Sequence, residues 1–211
     1  MKALVTGFEP FGGEEINPAW EAVRRLPARL GAIWITRAQL PCSFARSGPA
    51  LARLVRRAQP DLLLGVGQAG GRAELCLERV GINVQDARIP DNDGARPIDR
   101  AIERRGPAAR FATLPIKACV AAMKEAGLPA AVSNTAGTFV CNHLLYVSAR
   151  LAEAGGFRAG FLHVPYAPEQ AARLGGVPSL AVDDIVRGIE VVLRTAAARR
   201  RDIRRSAGRE D

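Results

Sequence analysis

Asp61-Leu62-Leu63-Leu64-Gly65-Val66-Gly67, opened by Pro60, is the stretch that decides the fold. The run is short, apolar and unbroken, the pattern of a sheet strand covered on both faces. Such a strand needs helices above and below it, and the flanking sequence supplies them. Upstream, Ala3 to Thr6 reads as a first strand. Asn17 offers a side-chain cap and Pro18 a first helical residue, with Trp20, Val23, Arg24 and Leu26 carrying the helical period until Pro27. Ile33 to Leu40 reads as a second strand, and a helix from about Ser47 to Ala58 buries Leu51, Leu54 and Val55. Downstream, Leu75, Leu77, Val80, Ile82 and Val84 alternate with one slip, which predicts a bulged strand or two short ones. Pro115 starts a helix that Gly127 ends, Gly160 to Val164 is a strand stopped by Pro165, and a last helix runs from about Val182 to Ala198. The alternation predicts a single α/β domain over residues 1–198, a twisted, largely parallel sheet with helices on both faces in an α/β/α sandwich. Asp86 to Arg110 is polar and rich in Pro and Gly, a long surface excursion suited to shaping a site.

With 211 residues, 48% of them hydrophobic, the chain can bury one full core. No stretch approaches the length of an apolar membrane span, and the N-terminus runs straight into a strand pattern, so neither a span nor a signal peptide is expected. Cys42, Cys76, Cys119 and Cys141 are scattered, without the close pairs of a zinc site, which fits a reduced, cytoplasmic protein. The formal net charge is +9, and much of it lies in residues 199–211, where Arg199, Arg200, Arg201, Arg204, Arg205 and Arg209 crowd together. This tail is expected to be a disordered, solvated extension. Only 5% of residues are aromatic and none interleave the basic run, so despite the charge the composition argues against a specific nucleic-acid surface.

Gly65-Val66-Gly67-Gln68-Ala69-Gly70 matches the dinucleotide-binding pattern immediately after a strand. That pattern requires a helix opening at the glycines, and here an alternating stretch follows Gly71 and Arg72 instead. The better reading is a glycine turn at a strand's C-terminal end, where backbone amides approach a small substrate closely.

Chemistry concentrates around Cys141. Pro129 to Ser133 reads as a short buried strand, and Leu144, Leu145, Val147, Ser148 and Leu151 fall on one helical stripe, so the thiol lies in a first helical turn. Unpaired N–H groups and the helix dipole there favour a thiolate. The alternative is a buried structural cysteine. A base is needed, and there are two histidines. His143 lies two residues on, its side chain about 200° round the helix, and reads as a helix-face or core histidine. His163 closes a strand at the edge where open parallel sheets gather active sites. Glu78 is a carboxylate inside an apolar stretch and fits the group that orients the imidazole; the alternative is an ion pair with Arg79 or Arg72.

Thr6-Gly7-Phe8-Glu9-Pro10-Phe11-Gly12-Gly13, Asn17-Pro18, Gly67 to Arg72, Glu78-Arg79-Val80, Asp86 to Asn92 and Thr135 to Asn142 follow one another in the order known from one family. From about residue 3 to Ala198 the chain resembles the pyrrolidone-carboxylate peptidases, or pyroglutamyl peptidases I. The resemblance implies a cysteine omega-peptidase that hydrolyses the bond after an N-terminal pyroglutamyl residue, with Cys141, His163 and Glu78 as triad, an acyl-thioester intermediate and no metal or cofactor. It implies peptides with N-terminal pyroglutamate as partners, commonly a homotetramer, and a ring pocket formed by Phe8 and Phe11, for which ordinary core packing is the alternative, with groups around Gln68 to Gly70. The Cys141 backbone N–H, free at the helix start, is one expected oxyanion donor. Arg88 resembles the second, although an ion pair with Asp86 or Asp91 would also explain it. Cys76 and Gly81 depart from the family's glutamate motif, which usually has Ser or Thr and Ala there. The first adds a thiol to the strand of Glu78, and the second loosens the expected support of that residue.

Overall fold

The computed structural model describes residues 1–208, so the end of the Arg-rich tail, residues 209–211, lies outside the described residues. The chain runs β1 (Lys2–Phe8), α1 (Pro18–Arg25), β2 (Arg29–Leu30), β3 (Ile33–Leu40), α2 (Ser47–Ala58), β4 (Leu62–Gln68), β5 (Leu75–Glu78) and β6 (Val80–Ile82). It continues with β7 (Ala109–Phe111), α3 (Ile116–Glu125), β8 (Ala130–Ser133), α4 (Val140–Gly155), β9 (Arg158–Val164), α5 (Pro168–Arg173) and α6 (Val182–Ala198).

The main sheet has the order β2-β3-β1-β4-β9-β5-β8, and β6 pairs with β7 separately. As the unbroken run at 62–67 predicts, β4 is central and every residue in it is buried. One face carries Ala3, Val5, Leu62, Leu64 and Val66 against α1, α3 and α6. The other carries Leu4, Phe8, Leu63 and Phe161 against α2 and α4. Burying side chains such as Leu62, Leu63 and Leu64 contributes about 2 kcal/mol each, which is why both faces must be covered.

The pairs β1–β3, β1–β4, β4–β9 and β5–β8 are parallel. β2 runs antiparallel to β3, and β5 antiparallel to β9. The alternating stretch from Leu75 to Ile82 resolves into two strands in two different sheets, because the chain turns out of the main sheet at Arg79. Gly81 therefore lies off the strand of Glu78, packed on α4, where a Cβ would meet the Tyr146 nitrogen at 2.8 Å.

Local chemistry sets the helix ends. The Asn17 side chain accepts the Ala19 N–H at the start of α1. Gly127 and Gly156, at φ 77° and 69°, close α3 and α4. Helix α3 follows Pro115 at its N-cap, which supplies no side-chain cap. Asp202, from the tail read as a disordered extension, accepts the N–H groups of Lys117 and Ala118 instead, at 3.0 and 2.9 Å. An acidic side chain at a helix N-terminus also meets the positive end of the dipole. No helix among the described residues is long and apolar enough to cross a membrane.

Candidate active site

Cys141 is the second residue of α4, and its thiol rests against β4. Gly67 and His163 are partners in the β4–β9 ladder, and a Cβ placed on Gly67 would lie 2.8 Å from Cys141 Sγ and 2.8 Å from the Phe161 ring. Glycine at 67 is thus the space the thiol occupies. The G-x-G-x-x-G run at 65–70 has a packing explanation throughout: Phe161 fills the space over Gly65 and the Tyr166 ring that over Gly70. No helix opens there, as the dinucleotide pattern would require.

The strand before Cys141 has a direction the sequence does not reveal. β8 runs with β5 and therefore opposite to β9, so its end does not meet the edge where His163 sits. The loop 134–139 makes the connection. Thr138 Oγ1 donates to the Asp86 carbonyl at 2.7 Å, the Asp86 N–H donates to the Thr138 carbonyl, and Arg72 donates to the Thr135 carbonyl at 3.0 Å. The Asn142 side chain then ties the first turn of α4 to Ile82 and Val84 through three hydrogen bonds of 2.9 Å.

His163 and Glu78 meet across the sheet. His163 Nδ1 lies 2.7 Å from Glu78 Oε1, with both side chains buried. An ionised carboxylate accepts only, so Nδ1 carries the hydrogen and Nε2 is left as the proton acceptor. Arg72 donates to the same Oε1 at 2.7 Å, so the two sequence readings of Glu78, imidazole partner and ion pair, hold together. Burial opposes the charge on Glu78 most strongly, yet the His163 contact and the Arg72 charge outweigh it and hold the carboxyl below its ordinary 4.5. Arg79 turns away to Asn134 and to the Ala207 carbonyl.

The thiol itself rests neutral. Burial, with the nearby Glu78 charge, pushes Cys141 up to about 12, against the opposing pull of Arg72. Burial and the Glu78 charge thus oppose the thiolate that a first helical turn favours, and proton transfer to a base would generate it.

Cys141 and His163 line one cavity of about 610 Å³, whose walls include Phe11, Gln68, Asp86, Arg88 and Phe139. Gln68 and Phe11 stand where the sequence reading puts them. Phe8 does not: it is 2% exposed, packed 6.4 Å from the Phe161 ring in the core. Phe139 takes its place, with its ring 5.9 Å from that of Phe11. The signal for Phe139 was its position two residues before the thiol. Arg88 is exposed on the cavity rim and, among the described residues, pairs with neither Asp86 nor Asp91. No cluster of His, Cys, Asp or Glu able to hold a metal ion occurs among the described residues.

The close approach at Gly67 gives a direct test. We expect Gly67→Ala to lower kcat about 100-fold, because the new methyl displaces Cys141 Sγ by a fraction of an ångström to an ångström. Unchanged turnover with an ordinary thermal transition would show that the thiol does not depend on that space.

His143 is a buried helix residue, as expected, accepting from Gln85 Nε2 at Nδ1 over 2.7 Å and lying edge-on to Phe44. Burial, with a smaller push from Arg150, lowers it from 6.5 to about 4. Between those values the unfolded chain takes up a proton that the folded state refuses. Stability from this group is therefore complete above about pH 6.5 and lost as pH falls toward about 4, an effect of order 3 kcal/mol. Urea midpoints should fall across that window in the wild type and fall less steeply in His143→Gln. Equal slopes would contradict the buried neutral imidazole.

The comparisons with known proteins agree with one another. A family model described as pyroglutamyl peptidase matches residues 1–199. The chain is 56% identical over 209 residues to the pyrrolidone-carboxylate peptidase of Cupriavidus taiwanensis, covering 97% of each chain. It is 53% identical over 199 residues to that of Streptomyces coelicolor, covering 93% of this chain and 92% of the other. Among solved structures, pyroglutamyl peptidase I from Bacillus amyloliquefaciens superposes with a TM-score of 0.94 at 46% identity, covering 97% of this chain and 99% of that one. A mutant pyrrolidone carboxyl peptidase from the hyperthermophile Pyrococcus furiosus gives a TM-score of 0.91 at 37% identity, covering 94% and 99%.

Proposed function

The chain belongs to the pyroglutamyl peptidase family, cysteine peptidases that remove N-terminal pyroglutamate, and on that premise we propose that Cys141, His163 and Glu78 are its catalytic triad. The observation that carries the proposal is one cavity lined both by Cys141 and by a histidine whose Nδ1 is held by a buried carboxylate. Glu78 keeps the imidazole in the tautomer that accepts a proton at Nε2, and steadies its positive charge once it has done so. His163 takes the Cys141 proton as sulfur attacks the pyroglutamyl carbonyl. The resulting oxyanion is met by the Cys141 N–H, which lacks an intrahelical acceptor in a first turn, and by Arg88 from the rim. Collapse expels the amine, protonated by His163, and leaves an acyl-thioester. Water, deprotonated by the same imidazole, then releases pyroglutamate and the thiol.

A pyroglutamyl ring offers no ammonium group, so recognition falls to its flat faces and its amide edge. Phe11 and Phe139 supply apolar walls, and Gln68 with the turn at 68–70 supplies polar partners. A peptidase unit spanning residues 1–198, four unpaired cysteines suited to a reducing cytoplasm, and assembly into a homotetramer complete the proposal.

A fluorogenic pyroglutamyl amide tests the reading against the uncyclised glutaminyl amide. Release of the fluorophore from the first and not the second is the expected result; release from neither would overturn it.

A further inference from the structure

Gln170 is a fully buried amide in α5 that the mechanism above does not use. Its oxygen accepts the N–H of Ala167 at 3.0 Å, half of a capping box, and this fixes which end of the amide is which. Nε2 must therefore donate. It donates to Glu14 Oε2 at 2.9 Å and to Gln68 Oε1 at 3.2 Å, with a longer contact to the Ile16 carbonyl at 3.4 Å. Arg173, on the same helix, donates to the same Glu14 oxygen at 2.8 Å, so α5 clamps the loop after β1 onto the end of β4.

The consequence falls on Gln68. Its oxygen is taken by Gln170, so the end of its amide left for the cavity it lines is the NH₂ group. An NH₂ group complements a carbonyl. A pyroglutamyl ring carries one beside its ring nitrogen, whereas a reversed Gln68 amide would set oxygen against oxygen.

We propose that Gln170 is a positioning residue that holds the Gln68 amide with its donor toward the lactam carbonyl, and so sets recognition of the pyroglutamyl ring. The proposal rests on the peptidase reading above. It acts on substrate binding rather than on the thiol, because Gln170 meets Gln68 and Glu14 and neither member of the Cys141–His163 pair.

A double-mutant cycle on a fluorogenic pyroglutamyl amide tests it. Gln170→Leu is expected to raise KM about tenfold with kcat changed less than about twofold, the loss of one oriented hydrogen bond. In a Gln68→Ala background the same change should leave KM where it was. Equal factors in both backgrounds, or a fall in kcat at constant KM, would overturn the proposal. Gln68→Glu, close in shape and carrying oxygen at both ends, keeps the acceptor for Gln170 and offers no donor to the cavity. It should raise KM at least as far, and an unaltered KM would overturn the proposal even if Gln170→Leu fails to fold. A wild type without turnover removes the peptidase reading and this one with it, whereas turnover with additive effects removes this one alone.

Discussion

Cys141→Ala is expected to abolish turnover of a pyroglutamyl amide, by a factor of about 10⁴ or more, while the protein folds as before. The size of the effect follows from covalent catalysis. Without sulfur there is no acyl-thioester, and the cavity, the oxyanion donors and His163 are left to assist water that nothing positions for direct attack. Stability should change by no more than about 1–2 kcal/mol, because the thiol is a small group over Gly67 and alanine fits the same space. The neutral thiol gives a second expectation. Since burial holds Cys141 up to about 12, activity should depend on proton transfer from the thiol in the complex, and not on titration of the free thiol. Undiminished turnover by Cys141→Ala would remove the residue from the chemistry altogether.

Glu78→Gln is expected to lower kcat by about 10³–10⁴-fold with little change in KM. The amide can turn its NH₂ to His163 Nδ1, which places the imidazole hydrogen on Nε2 and removes the base. It also strips Arg72 of its carboxylate, at a cost of about 1–3 kcal/mol for a cation only a quarter exposed. The pH dependence has a defined sign. A carboxyl held below its ordinary 4.5 contributes stability that is complete above that value and is lost as pH falls through the lower, folded-state value. The variant should lack this part of acid sensitivity. Equal acid unfolding midpoints for the two proteins, or a kcat within tenfold of wild type, would show that Glu78 does not hold the imidazole.

The sequence carried the sandwich because its signals are local. The unbroken run at 62–67 can satisfy both of its faces only at the centre of a sheet, and the caps at Asn17 and the stop before Pro60 bound the first two helices within a residue or so. The elements that escaped are β2, β7 and α5, with two, three and six residues, too short to display a period. Strand direction escaped for another reason. Nothing in Pro129 to Ser133 records that β8 runs opposite to β9, since direction is fixed by which neighbour the strand pairs with.

The site divides in the same way. Cys141, His163 and Glu78 were legible because each is a polar or reactive residue at a position otherwise apolar or at a strand end. Phe8 and Phe11 were not separable by type. The alternation of β1 turns Phe8 with Leu4 into the core under Phe161, while Phe11 lies beyond the strand and is free to reach the cavity. Arg72 was weighed only as an alternative partner for Glu78, and the structure gives the carboxylate both partners at once. Gln170 gave no signal, because its importance lies in three acceptors supplied by distant parts of the chain.

The central claim is that one thiol, Cys141, carries the reaction. Alkylation by iodoacetamide, followed by turnover of a fluorogenic pyroglutamyl amide and by peptide mass mapping of the four unpaired cysteines, tests it most directly. Residual activity should track the unmodified fraction of Cys141, and a pyroglutamyl ligand should slow both losses together. Activity that survives complete modification of Cys141, or that disappears while Cys141 is intact and Cys76 is labelled, would contradict it.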